Sequence, residues 1–234
     1  MKSSLFKQGI AAVVGIAFAL GAVTTAVAAP KKGGVLNFVV GSKIPSYDGH
    51  IESTFGMIHP IRPFYSLLIR VNPDNPADPT DFLCDACEGN VPGGAKGGTE
   101  YTFKIRSDIK FHDGTPLTSA DIKATFDKVI FPPKGVASNR KAMFKMVKSV
   151  EAPDATTLVF TLNFPSGAFL PAVAMPFNFI YSKKDLDTHG YEWHKKNING
   201  SGAFIFVEHI AAVSYTHLRA HETDSYLVCR LLLE

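Results

Sequence analysis

Tyr101–Asp121, YTFKIRSDIKFHDGTPLTSAD, carries a strand, a tight turn and a helix start in one run. Tyr101, Phe103 and Ile105 alternate with Thr102, Lys104 and Arg106. That period of two predicts a half-buried strand over Tyr101–Arg106. Asp108–Phe111 is short strand or turn, and Asp113-Gly114 is a tight-turn pair. Thr118 can cap a helix. Asp121, three residues on, approximates a capping box and suits the positive end of the helix dipole. Ile122, Phe126, Val129 and Ile130 form the apolar stripe of that helix, and Pro132-Pro133 stops it.

On the N-terminal side, Gly34–Val40 is a short apolar strand that runs into a Gly/Ser/Pro/Asp loop, Gly41–His50. Phe55–Arg70 has helical spacing interrupted by Pro60 and Pro63. Asn72–Thr80 is a turn cluster, and Cys84–Gly98 is a Gly-rich loop. On the C-terminal side, Arg140–Val150 is expected to be a second helix. Val150–Pro153 and Thr157–Leu162 are expected strands, Phe169–Ala174 a short apolar segment, and Phe177–Tyr181 and Ala203–Val207 further strands. The order of elements makes an α+β domain with a mixed sheet.

Apolar residues make up 46% of the 234 and charged residues 19%, which excludes disordered and coiled-coil classes. The net charge of +3 excludes a strongly basic nucleic-acid binder. Both ends stand apart from the fold. Met1–Ala28 has a basic start, an apolar run Ile10–Val23 shorter than the ~20 residues of a membrane span, and Ala26-Val27-Ala28 as a cleavage signal. A signal peptide cleaved near Ala28 is expected. With no Cys near the cleavage site, a lipoprotein is not, and the product is a soluble exported protein. Ala212–Glu234 resembles the translation of a transposon-derived sequencing adapter and is set aside as an artefactual tail, with His217, His221 and Cys229.

His112 beside Asp113 invites a catalytic dyad, but turn chemistry accounts for both: Asp113-Gly114 sets the turn and His112 can anchor it. Cys84 and Cys87 span a four-residue turn that allows a disulfide without requiring one. An oxidising compartment favours the bridge over free thiols. Zinc would need two more ligands at motif spacing, and none follow. His189 and His194 do not share a helical face. His50 and His59 flank the Gly41–His50 loop or lie close to it, which keeps a metal-chelate ligand open. Lys141, Lys145 and Lys148 form a solvated basic face. No cofactor or protein-bound metal is expected.

The Tyr101–Asp121 stretch resembles the signature of the extracellular solute-binding proteins of family 5: Tyr-Thr-Phe-x-Leu-Arg, Phe-His-Asp-Gly, then Thr-x-x-Asp before a helix, with Ile105 here for Leu. Ser46-Tyr47-Asp48 is similar to the family's Leu-Asp-Pro loop, and Gly200-Ser201-Gly202-Ala203-Phe204 to its Gly-Thr-Gly-Pro-Phe. The resemblance implies the first lobe of a class II periplasmic binding protein with the second lobe missing. Residues 29–66 and 165–211 would form the first-lobe sheet domain, and 67–164 an inserted small domain. It also implies a monomeric periplasmic receptor that binds a peptide or related small solute and docks on an ABC permease in the membrane, with no chemistry of its own. Backbone groups near Glu52, Ser53 and Thr54 would meet the ligand, and Ser42, Tyr47 and Asp48 would shape the loop. The alternative is a secreted hydrolase with His112 and Asp113 in its site.

Overall fold

The computed structural model describes Val40, Ser42–Ile210 and Tyr215–Ala220. The leader, the strand expected at Gly34–Val40 (apart from Val40) and Leu227–Glu234 lie outside these residues. The described elements run α1 (Phe55–Ile61), β1 (Ile69–Val71), β2 (Phe82–Cys84), β3 (Glu100–Lys104), α2 (Ser119–Ile130), β4 (Val147–Asp154), β5 (Thr157–Leu162), α3 (Phe169–Val173), α4 (Lys183–His189), β6 (Phe204–Ile210) and β7 (Tyr215–Ala220).

The central sheet has the order β3-β5-β4, antiparallel throughout. Tyr101 pairs with Phe160 and Phe103 with Leu158, so the inward residues of one strand face those of the next. Helix α2 covers this face. Its capping box is formed, with the Thr118 N–H donating to Asp121 Oδ2 at 2.8 Å, and its stripe Ile122, Phe126, Val129 and Ile130 is buried. Phe126 meets Phe160 edge-on at 5.1 Å between ring centroids.

Two apolar cores result. The larger joins α2 to the sheet and reaches from Leu68 to Ile180. The smaller contains Met57, Ile61, Phe64, Tyr65, Phe179 and Tyr181, with Phe204 and Phe206 packed against it. Phe169, Ala172 and Val173 belong to the larger core, so the cores do not part at Pro165.

Several elements differ from the sequence expectation. Arg140–Val150 is not a helix: a 3-10 turn, Lys141–Phe144, gives way to β4. The β-branched Val147 and Val150 pair with Leu162 and Phe160 of β5, and that tertiary pairing overrides the helical spacing. Phe55–Arg70 breaks into α1, a 3-10 turn at Arg62–Phe64 and β1, because Pro63 lies where α1 would have to continue. Phe177–Tyr181 is not a strand: Phe177 lies in a turn, and Asn178–Tyr181 have no strand partner among the described residues. It threads between the cores, where Ile180 N–H donates to Ser66 O at 3.1 Å and Tyr181 N–H to Thr125 Oγ1 at 2.9 Å. No element was expected in the tail, yet Tyr215–Ala220 pairs antiparallel with β6. An open strand edge takes up a strand-competent segment, and Tyr-Thr-His-Leu qualifies.

A candidate ligand-facing loop

The segment Ser46–Thr54 lies between β6 and α1 in space and is built on a buried polar base. Asp48 is 1% exposed. Its Oδ2 accepts from Lys128 Nζ at 2.7 Å, and its Oδ1 accepts from the Tyr181 hydroxyl and the His50 N–H, each at 2.9 Å. The Tyr181 hydroxyl in turn accepts from Gly49 N–H at 2.9 Å. Gly49 is required here, because a methyl group on its Cα would sit 2.5 Å from the Phe179 ring.

Burial opposes the Asp48 carboxylate. The coulombic pull of His50 and Lys128 and the hydrogen bonds from Lys128 and the His50 N–H outweigh it, and the pKa lies below the usual carboxylate value. Burial pulls the Lys128 ammonium down despite Asp48 beside it. The shifts of the two partners thus point opposite ways for the pair. We take it as ionised, because Asp48 meets three donors while Lys128 has both a carboxylate and the Tyr181 ring, 4.8 Å from its nitrogen.

Beneath the loop, His50 and His194 pack on Tyr181, with centroids 4.2 and 3.8 Å from its ring. His50 Nε2 meets Phe179 O at 2.9 Å, whereas both ring nitrogens of His194 have no hydrogen-bond partner among the described residues. Burial first, then the Lys128 charge, lowers each imidazole to a pKa of about 3, so both are neutral at pH 7.

The loop's own turn uses the N–H groups of Ile51 and Glu52, which donate to Asp48 O at 3.3 and 3.2 Å. The carbonyl of His50 accepts from Asn139 N–H at 3.3 Å and Arg140 Nη1 at 3.0 Å. Ile51 O accepts from the Asn139 side chain, and Glu52 O from Arg140 Nη2. Thr54 O is taken by Met57 and Ile58 at the start of α1. The N–H and C=O of Ser53 and the N–H of Thr54 form no hydrogen bond among the described residues. Thr54 is extended, at φ −99° and ψ 148°, and Phe55 beside it is 77% exposed and stacked on His59. This edge can therefore pair with the backbone of an extended molecule beside an aromatic platform.

Of the residues singled out from sequence, Glu52 is half-buried and Ser53 and Thr54 are exposed on this edge. Asp48 lies beneath it. The Tyr47 N–H donates to Lys195 O at 3.1 Å, and its hydroxyl meets His209 Nδ1 at 2.8 Å. Ser42 is exposed and lies over Gly56 of α1. His112 and Asp113 are elsewhere. His112 Nε2 meets Gly202 O at 3.1 Å, and Asp113 Oδ1 accepts from the Thr115 N–H and hydroxyl at 2.9 and 2.6 Å. Cys84 and Cys87 are disulfide-bonded with Cα atoms 4.9 Å apart. Asp85, between them, accepts from Leu67 N–H at 2.8 Å and pairs with Arg62 at 3.4 Å.

Sequence reading missed Lys128, Arg140 and Tyr181. One signal was present. Asp121, Thr125 and Lys128 form an i, i+4, i+7 row beside the apolar stripe of α2, and all three are buried. They hold Lys183 N–H, Tyr181 N–H and Asp48 respectively.

This arrangement is the fold of periplasmic binding proteins. The solute-binding protein MoaA of A. tumefacien R10, solved with mannopinic acid, superposes with a TM-score of 0.60 at 25% identity over 70% of this chain and 32% of MoaA. The ABC transporter-associated periplasmic binding protein DppA of Helicobacter pylori, solved with the peptide STSA, gives a TM-score of 0.58 at 22% identity over 70% and 35%. Residues 94–226 match the family described as bacterial extracellular solute-binding proteins, family 5 Middle, and the chain belongs to it. The glutathione-binding protein GsiB of Escherichia coli K12 is 36% identical over 95 residues, 41% of this chain and 18% of GsiB. The chain thus spans about a third or less of the length of these relatives.

Proposed function

We propose that this chain belongs to a periplasmic receptor that captures a peptide or related small solute and hands it to an ABC importer unchanged. The observation that carries the reading is the edge at Ser53–Thr54, where the N–H and C=O of Ser53 and the N–H of Thr54 have no hydrogen bond among the described residues, while the carbonyls of His50, Ile51 and Glu52 and the N–H groups of Ile51 and Glu52 are used. An edge held rigid by a buried ion pair suits binding of an extended backbone, as an added strand would bind. Glu52, Ser53 and Thr54 meet the ligand, while Ser42, Tyr47 and Asp48 shape the loop. His112 and Asp113 are committed to a turn and to Gly202, which supports binding without covalent chemistry.

In this reading the chain is exported with cleavage near Ala28, is not a lipoprotein and acts as a monomer that meets a membrane permease. The two apolar cores support a division into a first-lobe sheet domain and an inserted small domain, with α3 packed on the latter. The test is fluorescence anisotropy of labelled di- to tetrapeptides and glutathione against the 234-residue chain and Ser53→Pro, with mass spectrometry of the recovered peptide. Binding that Ser53→Pro weakens, with the peptide intact, supports the reading. Cleavage of the peptide, or binding indifferent to Ser53, contradicts it.

A further inference from the structure

The polar atoms before Ser53 converge on one side chain. Arg140 is 3% exposed, lies 88 residues from Glu52 in sequence, and reaches three loop residues, His50, Glu52 and Ser53. Its Nη1 donates to His50 O at 3.0 Å, and its Nη2 donates to Glu52 O and lies 3.4 Å from Ser53 Oγ. The guanidinium plane rests on Phe177, 4.2 Å from the ring centroid. Asn139 fills the gap with Ile51 O. The Asn139–Arg140 segment is itself tied to α2 through Ser138 Oγ, which donates to Val129 O at 2.6 Å. Helix α2 and the turn after it thus grip the loop twice, through Lys128 at Asp48 and through Arg140 at His50–Ser53.

We infer that Arg140 is the positioning residue of the ligand-facing edge, a planar fork that turns the His50 and Glu52 carbonyls inward and so leaves Ser53 as the residue whose N–H and C=O both face a partner. This rests on the reading that Ser53–Thr54 meets the ligand. A lysine cannot replace it, because one ammonium cannot hold two carbonyls and stack on Phe177 at once.

The test is amide exchange by NMR on the 234-residue chain without ligand. Arg140→Ala and Arg140→Lys are each expected to speed exchange at Ile51, Glu52 and Asn139 by about tenfold or more, while Phe103 and Phe160 in the sheet stay as slow as in the unaltered chain. Methylguanidinium chloride, but not sodium chloride at the same concentration, is expected to restore protection in Arg140→Ala by filling the vacated slot. Unchanged loop exchange, equal acceleration in loop and sheet, full protection in Arg140→Lys, or no rescue would each overturn the inference. Because no ligand is present, the two ideas fail separately: a loop ordered by Arg140 that binds no peptide refutes only the proposed function.

Discussion

Lys128→Met is the most informative single change, because it isolates the buried charge under the loop. Met matches the length and flexibility of the lysine stem, so the packing of α2 against Tyr181 is kept while the ammonium is lost. Both side chains of the pair are 1% exposed and 2.7 Å apart. At that distance and an effective dielectric of 20, the attraction removed is about 6 kcal/mol before desolvation is counted. Removing Lys128 also relieves the cost of burying its charge, so the net loss is smaller. Breaking one side of a buried pair typically costs about 3–5 kcal/mol, since the remaining charge stays in place. Asp48 keeps the donors of Tyr181 and His50 and can take up a proton, which places the expectation at about 3 kcal/mol at pH 7. Urea unfolding followed by near-UV circular dichroism measures it. Asp48→Asn/Lys128→Met, which leaves no buried charge, is expected to recover at least about 1 kcal/mol of that loss. A loss below about 1 kcal/mol for Lys128→Met, or a double variant no more stable than the single, would refute the ionised-pair account.

Acidification should destabilise the chain: the pKa values of His50 and His194 are about 3 when folded against 6.5 when unfolded, so stability is complete above pH 6.5 and falls as pH drops toward 3, by up to about 1.4 kcal/mol per unit for each imidazole. His194→Phe, which keeps the stack on Tyr181, should flatten that slope in urea titrations between pH 6.5 and 4. Gly200→Ala forces a methyl into the Phe64 carbonyl and is expected to lower stability by about 1–3 kcal/mol in the same assay. The Cys84–Cys87 bridge closes only a four-residue loop, so the expected loss on its reduction is about 2 kcal/mol or less, with the change in amide exchange centred on Leu67 and Asp85.

The central stretch was legible because its signals are local. The period of two at Tyr101–Lys104 and the Thr118–Asp121 cap each lie within a few residues, and both are formed. The turn at Asp113 is equally local, and the side chain bonds its own backbone two residues on. What sequence could not give depends on distant partners. Val147–Asp154 is a strand because β5 lies beside it, and Phe177–Tyr181 is not one because Thr125 and Ser66 take its N–H groups. The loop at Glu52–Thr54 was identified by likeness to a family motif, whereas its support was invisible: Lys128 lies 80 residues from Asp48 and Arg140 lies 90 from His50. A lone lysine at the edge of an apolar helix stripe looks the same whether it reaches solvent or a buried carboxylate. Only the row Asp121, Thr125, Lys128 hinted at a polar seam.

The central claim is that this chain meets a solute through the edge at Ser53–Thr54. The most direct measurement is a two-dimensional 15N–1H NMR titration of the chain with unlabelled tripeptides and glutathione. The account predicts progressive shifts of the Ser53, Thr54 and Phe55 amides, with the His112–Thr115 turn and the β3-β5-β4 sheet unmoved. Shifts centred on His112 and Asp113, or a saturable titration that leaves Ser53 and Thr54 in place, would contradict it.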